Sequence, residues 1–255
     1  MISYLNLRFY CILEFINIYA IGRLYIYYKI NLFNQVIVEI LNFANTISEN
    51  TNGAFDVSVQ PLWIAHANFF KDTTNKDTTN KDINKLKEEI QKVKQFISYK
   101  NILISNNEIS FKQKGVQITL NGIAQGYITD KITNILKEKG FTNVLVNVGE
   151  FNSIGGYDEN RDWNIATPYL DNIEYLKLNN SAIASSGGYG TKFDENYHHL
   201  FDTKTGTSAN YIKSVTVKAQ NAMLADAIST AIFVMPKSEK EKIQSIYPNI
   251  EIYTS

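Results

Sequence analysis

The segment 221–235, NAMLADAISTAIFVM, constrains the fold more than any other because its residues are apolar on almost every side of a helix. Such a helix is stable only in the interior of a domain, so the rest of the chain must enclose it. Asp226 and Thr230 lie inside it, four residues apart and therefore on one face. A buried carboxylate without a partner costs roughly several kcal/mol. Since no Lys or Arg lies within the helix, Asp226 requires compensation from elsewhere.

Two interpretations of this helix remain open. In the functional one, a remote basic side chain or a metal ion balances Asp226. A carboxylate with a hydroxyl oxygen is a hard donor set that suits Mg²⁺ rather than Zn²⁺. In the structural one, Asp226 accepts bonds from local backbone amides and Thr230 donates back to its own helix.

The remaining composition is that of an ordinary globular protein large enough to bury such a helix. The chain has 255 residues, of which 44% are hydrophobic and 20% are charged. Lys and Arg number 25 and Asp and Glu also number 25, so there is no electrostatic footprint for a nucleic acid. The single Cys11 cannot form an internal disulfide bond.

Hydrophobic spacing and turn signals predict more strands than helices, without regular alternation between them. This pattern indicates an α+β fold with a mixed, largely antiparallel sheet and packed helices. Helices are predicted over 33–49, 61–70, 84–96, 123–139, 221–235 and 237–246. Strands are predicted over 101–105, 108–112, 116–120, 143–149, 162–166, 173–178, 182–186, 197–201, 213–218 and 250–254.

Two segments are expected to stand apart from this domain. Residues 71–85, KDTTNKDTTNKDINK, repeat a five-residue unit and predict a solvated low-complexity insertion rather than a binding loop. Residues 1–32 are atypical, since charged residues interrupt an aromatic, apolar run too often for a membrane span. The run has no recognisable export signal, and both a mis-started N-terminus and a genuine structural segment are compatible with it.

A second candidate site lies in residues 121–130, NGIAQGYITD. A strand, a glycine turn and a helix start would present unpaired amides and the positive end of a helix dipole, which suits a phosphate. Gly122 would allow close approach of a ligand, and its carbonyl could serve as an oxygen donor. The alternative is a plain strand-to-helix connection in which Gly126 packs against a neighbour.

A third candidate site lies in residues 185–206, where SSGGYG is a loop of the kind that wraps a ligand. His198 and His199 are adjacent on a predicted strand and should point to opposite faces, so at most one enters a given site. That residue would be a candidate general acid or base. A hydrogen-bonded structural histidine is the alternative.

Four blocks together resemble the ApbE-type FAD:protein FMN transferases, a family of flavin transferases. They occur in the family's order and extend the resemblance over 33–255, with the ApbE-like (T-fold) architecture as the implied fold. The blocks are TNGAFDVSVQPLW at 51–63, residues 119–150, AIASSGGYGTKF at 182–193 continuing through YHHLFDTKTGTSA, and LADAISTAIFV at 224–234. The first strand and an early FAD-contacting loop of the family have no recognised counterpart before residue 33, which implies an incomplete N-terminal lobe.

The resemblance implies a reaction and a set of site residues. The reaction moves FMN from FAD to a Ser or Thr hydroxyl of a target protein, such as a membrane-complex subunit, and releases AMP. Position in the blocks assigns Mg²⁺ binding to Gly122, Asp226 and Thr230. Catalytic roles fall to Asp226 and to His199, which matches the family's histidine and would assist removal of the acceptor proton. FAD binding is assigned to Ala54, Phe55, Asp56, Thr119, Gln125 and Leu200.

The resemblance also leaves alternatives. The family usually has Asp at the position of Thr119, commonly Lys at that of Gln125, and a second glycine at that of Glu150. A FAD pyrophosphatase that yields FMN and AMP, or a non-catalytic flavin-binding relic, would share these blocks. Family members usually act outside the cytoplasm, in the periplasm or anchored to the inner membrane facing it, but no export signal is recognised in this sequence, so its location stays open.

Overall fold

A computed structural model describes residues 35–71, 82–167 and 174–255. The atypical segment 1–32 lies outside the described residues, as does the part of the predicted insertion from 72 to 81. Six helices occur in the described part of the chain. They are α1 (Gln35–Asn50), α2 (Gln60–Lys71), α3 (Ile83–Lys94), α4 (Ala124–Glu138), α5 (Ala222–Val234) and α6 (Lys237–Ile246).

The described strands form one five-stranded sheet and two separate hairpins, and every pairing is antiparallel. The sheet has the order β3-β4-β7-β8-β9, and β1 with β2 and β5 with β6 form the hairpins. The α+β fold with a largely antiparallel sheet is therefore confirmed. The strands are β1 (Ile102–Ser105), β2 (Glu108–Phe111), β3 (Val144–Asn147), β4 (Phe151–Ile154), β5 (Trp163–Thr167), β6 (Glu174–Leu178), β7 (Ala182–Gly187), β8 (Ser214–Ala219) and β9 (Glu251–Thr254).

Helix α5 is the centre of the core, as its apolar sequence predicts. Every residue of α5 except Thr230 is buried. The helix packs on β7 and β8 across one face of the sheet, and on α4 and α1 on its other sides. None of the described helices is both long and apolar enough to cross a membrane.

The start of α5 is held by side chains from two elements. Asn221 caps the helix by accepting the N–H of Leu224 at 2.8 Å. Asp130 of α4 accepts the N–H groups of Ala222 at 2.7 Å and Met223 at 2.9 Å. These three backbone amides, which a helix start would otherwise leave unpaired, therefore all have hydrogen-bond acceptors. This cap ties α4 to α5 at the end nearest Asp226.

Two of the predicted strands are wrong. Residues 116–120 form an extended segment without strand pairing, although Val116, Ile118 and Leu120 are buried in strict alternation. The alternation comes from packing against the core, and the Thr119 N–H bonds the Val57 carbonyl at 2.8 Å rather than a neighbouring strand. Residues 197–201 make only isolated bridges, at His198 and Phe201, in the described structure.

Candidate active site

A cavity of about 230 Å³ lies between the start of α4, one face of α5, the end of β7 and the segment before α2. Its walls bring together residues that are far apart in the sequence. All ten of the predicted site residues line it: Ala54, Phe55, Asp56, Thr119, Gly122, Gln125, His199, Leu200, Asp226 and Thr230. The structure thus places the predicted residues in one site, and their individual roles remain predictions.

Asp226 is almost fully buried, with 5% of its surface exposed. Its Oδ2 accepts the N–H of Gly126 at 3.0 Å, so the amide comes from α4 and not from its own helix. Burial raises the pKa of Asp226 above its usual range, the Gly126 amide opposes this, and the charge of Asp130 adds to it. No ion pair to Asp226 is found among the described residues. Among the described residues, therefore, no basic side chain supplies the positive charge that a buried Asp226 requires.

Thr230 lies directly against Gly122 in the wall of the cavity. A Cβ built on Gly122 would lie 2.9 Å from the Thr230 Oγ1, so a glycine is needed for the backbone to come this close. The Oγ1 also lies 3.3 Å from the Ser186 hydroxyl of β7. Within α5, the hydroxyl that donates back to the helix is that of Ser229, to the Asp226 carbonyl at 2.9 Å. The structural interpretation of Thr230 is therefore not supported by its contacts.

Glu150 also lines the cavity, although it is not among the site residues predicted from the sequence. It follows Gly149 in the β3–β4 turn, and 8% of its surface is exposed. Burial raises the pKa of Glu150 above its usual range, the Asp226 charge raises it further, and the nearby backbone of Ser185 opposes both. An acidic residue between a glycine and an apolar strand, where the family has a second glycine, is the signal that could have identified it.

The two adjacent histidines occupy different environments. His199 lines the cavity, whereas His198 is buried and its Nδ1 accepts the Leu200 N–H at 3.2 Å. The His199 Nδ1 lies 3.1 Å from the Thr191 carbonyl, which can only accept, so this nitrogen carries the proton. Burial lowers the pKa of His199, which favours a neutral ring with its lone pair on Nε2. That is the protonation state of a general base.

Several predicted FAD-contacting residues shape the wall of the cavity. The Asp56 carboxylate accepts bonds from the Ser58 amide at 2.8 Å, the Ser58 hydroxyl at 2.6 Å and the Tyr99 amide at 2.7 Å. Its oxygens are thus used to hold two loops together. The Gln125 side chain lies against Gly149, where a Cβ would come within 2.6 Å of its Nε2. Gln125 therefore packs against the turn that carries Glu150.

The cavity has an acidic lining. Its carboxylates are Asp56, Glu150 and Asp226, and neither Lys nor Arg is among the described residues that line it. The described residues contain no cluster of three or more His, Cys, Asp or Glu side chains arranged around a metal position. Since the Asp56 oxygens already accept bonds from Ser58 and Tyr99, the donors available here are the other two carboxylates, the Thr230 hydroxyl and the Gly122 carbonyl. This all-oxygen set fits Mg²⁺, which takes one or two protein carboxylates and fills its other positions from water or phosphate.

The fold and the cavity define an α+β ligand-binding protein whose site combines hard oxygen donors with one histidine. The family model of the ApbE family matches residues 29–254, so the chain belongs to the ApbE family. The chain is 28% identical over 212 residues to the FAD:protein FMN transferase of Haemophilus influenzae, covering 77% of this chain and 59% of that protein. It is 30% identical over 197 residues to the FAD:protein FMN transferase of Vibrio cholerae, covering 72% and 56%. The chain therefore spans less than two thirds of the length of either relative.

Solved structures agree with this assignment. The ApbE protein of Thermotoga maritima superposes with a TM-score of 0.74 at 27% identity, over 93% of this chain and 77% of that chain. The flavinyl transferase ApbE of Pseudomonas stutzeri superposes with a TM-score of 0.75 at 20% identity, over 93% and 74%. The second likeness concerns the fold alone. Both confirm the ApbE-like architecture that the sequence blocks imply.

Proposed function

We propose that this chain is an Mg²⁺-dependent FAD:protein FMN transferase that forms a phosphoester between FMN and a Ser or Thr hydroxyl of a target protein. The observation that carries the proposal is the buried pair Asp226 and Glu150, in a cavity whose described lining holds no basic side chain. A pyrophosphate would be repelled from such a cavity unless a divalent cation accompanied it. Membership of the ApbE family and the names of the relatives support the choice of FAD.

The proposed cation site uses Asp226, Thr230 and the Gly122 carbonyl. Bound there, Mg²⁺ would neutralise the pyrophosphate and the charge that develops on the leaving AMP. The Gly126 amide donates to Oδ2 of Asp226 and so helps to orient the carboxylate. Gly122 keeps the backbone close to Thr230, since any side chain at this position would fill the space between them.

His199 is the proposed general base for the acceptor hydroxyl. The hydroxyl oxygen forms a bond to the FMN phosphorus, the bond from that phosphorus to the AMP oxygen breaks, and the hydroxyl proton moves to Nε2. The contact of Nδ1 with the Thr191 carbonyl supports this role because it holds the ring in the required tautomer. Aromatic and aliphatic side chains of the cavity provide an apolar wall for the flavin; they are Phe55, Val57, Val59, Trp63, Leu200, Phe201 and Val234.

Incubating the purified chain with FAD, MgCl₂ and a Thr-containing peptide, followed by mass spectrometry, tests the proposal. We expect the peptide to gain the mass of an FMN phosphoester, AMP to appear in equal amount, and EDTA to abolish both. Asp226→Asn should abolish transfer, whereas Glu159→Gln, an exposed carboxylate outside the cavity, should leave it unchanged.

Two other outcomes would contradict transfer. Free FMN and AMP with an unmodified peptide would identify a FAD pyrophosphatase. FAD binding without any product would identify a non-catalytic flavin-binding protein.

A further inference from the structure

Glu150 brings a second buried carboxyl group to the cavity from a different element than Asp226. Its backbone is fixed: the Glu150 carbonyl accepts the Val148 N–H at 3.2 Å and the Thr129 hydroxyl at 3.4 Å. Gly149, with a φ of +108°, makes the turn that directs Glu150 toward the cavity. The backbone that carries this side chain is therefore fixed by the turn and anchored on α4.

The two carboxylates have few hydrogen-bond donors. In the described part of the chain, the Gly126 amide donates to Asp226, and the backbone of Ser185 lies near Glu150 and favours its charged form. At most two neutral amides thus serve four carboxylate oxygens, and the described salt bridges include neither residue. Buried charges of like sign placed together require a counter-ion or a shared proton.

We propose that Glu150 is a cation-binding residue of this cavity and that, with Asp226, it binds a hard divalent cation before FAD enters. The inference rests on the proposed function because it uses the same cation site. Carboxylate count is a main determinant of the affinity of an oxygen site for a divalent ion. Two carboxylates match the charge of one such ion, so the protein alone holds it without help from the substrate's phosphates.

The competing explanation is that Glu150 keeps its proton and acts as a neutral buried acid. Glu150→Gln separates the two, since glutamine has the same shape and retains an acceptor oxygen but carries no charge. If Glu150 is a neutral acid, this substitution leaves cation affinity unchanged. If it is a ligand, the substitution removes half of the site's negative charge.

The experiment is isothermal titration of the FAD-free protein with MgCl₂ and with MnCl₂, and Mn²⁺ binding is followed in parallel by electron paramagnetic resonance. We expect Glu150→Gln to weaken binding at least about tenfold, since even outer residues of metal sites contribute 10–100-fold. Asp226→Asn should weaken it at least as much, and Glu159→Gln should match the wild type. Thermal melting in the presence and absence of MgCl₂ checks that each variant folds and repeats the comparison, since a bound ion raises Tm.

Wild-type affinity in Glu150→Gln, together with loss of affinity in Asp226→Asn, would overturn the inference and leave the cation site of the proposed function intact. Absence of cation binding by the wild type without FAD would also overturn it. The peptide transfer assay, run with FAD and MgCl₂, then decides the proposed function separately. If the wild-type protein binds the cation without FAD but transfers no FMN to the peptide, the proposed function is contradicted and the cation site is supported.

Discussion

The contact between α4 and α5 predicts that Gly126→Ala damages both stability and the cavity. A Cβ at this position would lie 2.4 Å from the Ala222 carbonyl oxygen and 2.7 Å from the Met223 Cα. These are backbone atoms of α5, so no side chain can rotate to make room. Because carbon atoms settle at about 3.5–4.0 Å, the helices must separate by about 1 Å.

Two opposing effects determine how much Gly126→Ala should change the free energy of unfolding. Overpacking of this kind costs about 1–3 kcal/mol. The higher helix propensity of alanine returns at most about 1 kcal/mol, and less in the first turn of a helix. We therefore expect a net loss of about 2 kcal/mol, which lowers Tm by roughly 4–8 °C in a chain of this size. The separation also lengthens the 3.0 Å bond from the Gly126 amide to Asp226 beyond hydrogen-bond range.

Differential scanning calorimetry and FAD titration in MgCl₂ measure the two consequences. Gly140→Ala is the matched control at the other end of α4. A Cβ there meets nothing within 4 Å, but the φ of +83° is strained for alanine. We expect this control to lose about 1 kcal/mol and to retain wild-type FAD affinity.

The reasoning would be refuted by a Gly126→Ala protein with unchanged Tm and unchanged FAD affinity. Equal effects of the two substitutions on FAD affinity would also refute it. In that case loss of glycine, rather than the contact with α5, would be responsible.

Three further substitutions test separate features. His66 is fully buried, and burial lowers its pKa below the ordinary value of 6.5. In acid the unfolded chain therefore binds more protons than the folded one, so the free energy of unfolding should fall as the pH drops below 6.5. His66→Leu should make the calorimetric Tm less sensitive to pH between 7 and about 5. Asp130→Asn can satisfy only one of the two α5 amides and should cost about 1 kcal/mol in urea unfolding, with weaker FAD binding. His199→Ala should slow single-turnover peptide flavinylation about 100-fold while FAD affinity is retained. Transfer at the wild-type rate would exclude His199 as the general base.

Much of the fold follows from local pattern. The helices are predicted to within two residues at most ends, because amphipathic periodicity and the Gly140 and Pro236 stops are local signals. The wrong strand at 116–120 has the same physical origin. Alternating burial is a property of any extended segment against a core, and a sequence does not show whether a partner strand lies beside it.

The candidate site also has one part that the sequence predicts and one part that it does not. The apolar residues around Asp226 in the sequence are enough to predict a site there, because a buried carboxylate needs compensation wherever it lies. Glu150 has no apolar run around it, and its departure from the family's second glycine does not reveal that it is buried, since an acidic residue in a turn is usually solvated. Its burial depends on contacts with α4 and β7 that are distant in the sequence.

The sequence by itself determined that α5 is buried, that one face of it is polar, and that the chain shares the blocks of the ApbE family. Only the tertiary structure decided which groups meet there. The close approach of α4 at Gly126 delivers an amide to Asp226, and the Gly149 turn delivers Glu150. The reason is physical: charge balance in a buried site is a property of three-dimensional neighbours, and long-range packing alone determines those neighbours.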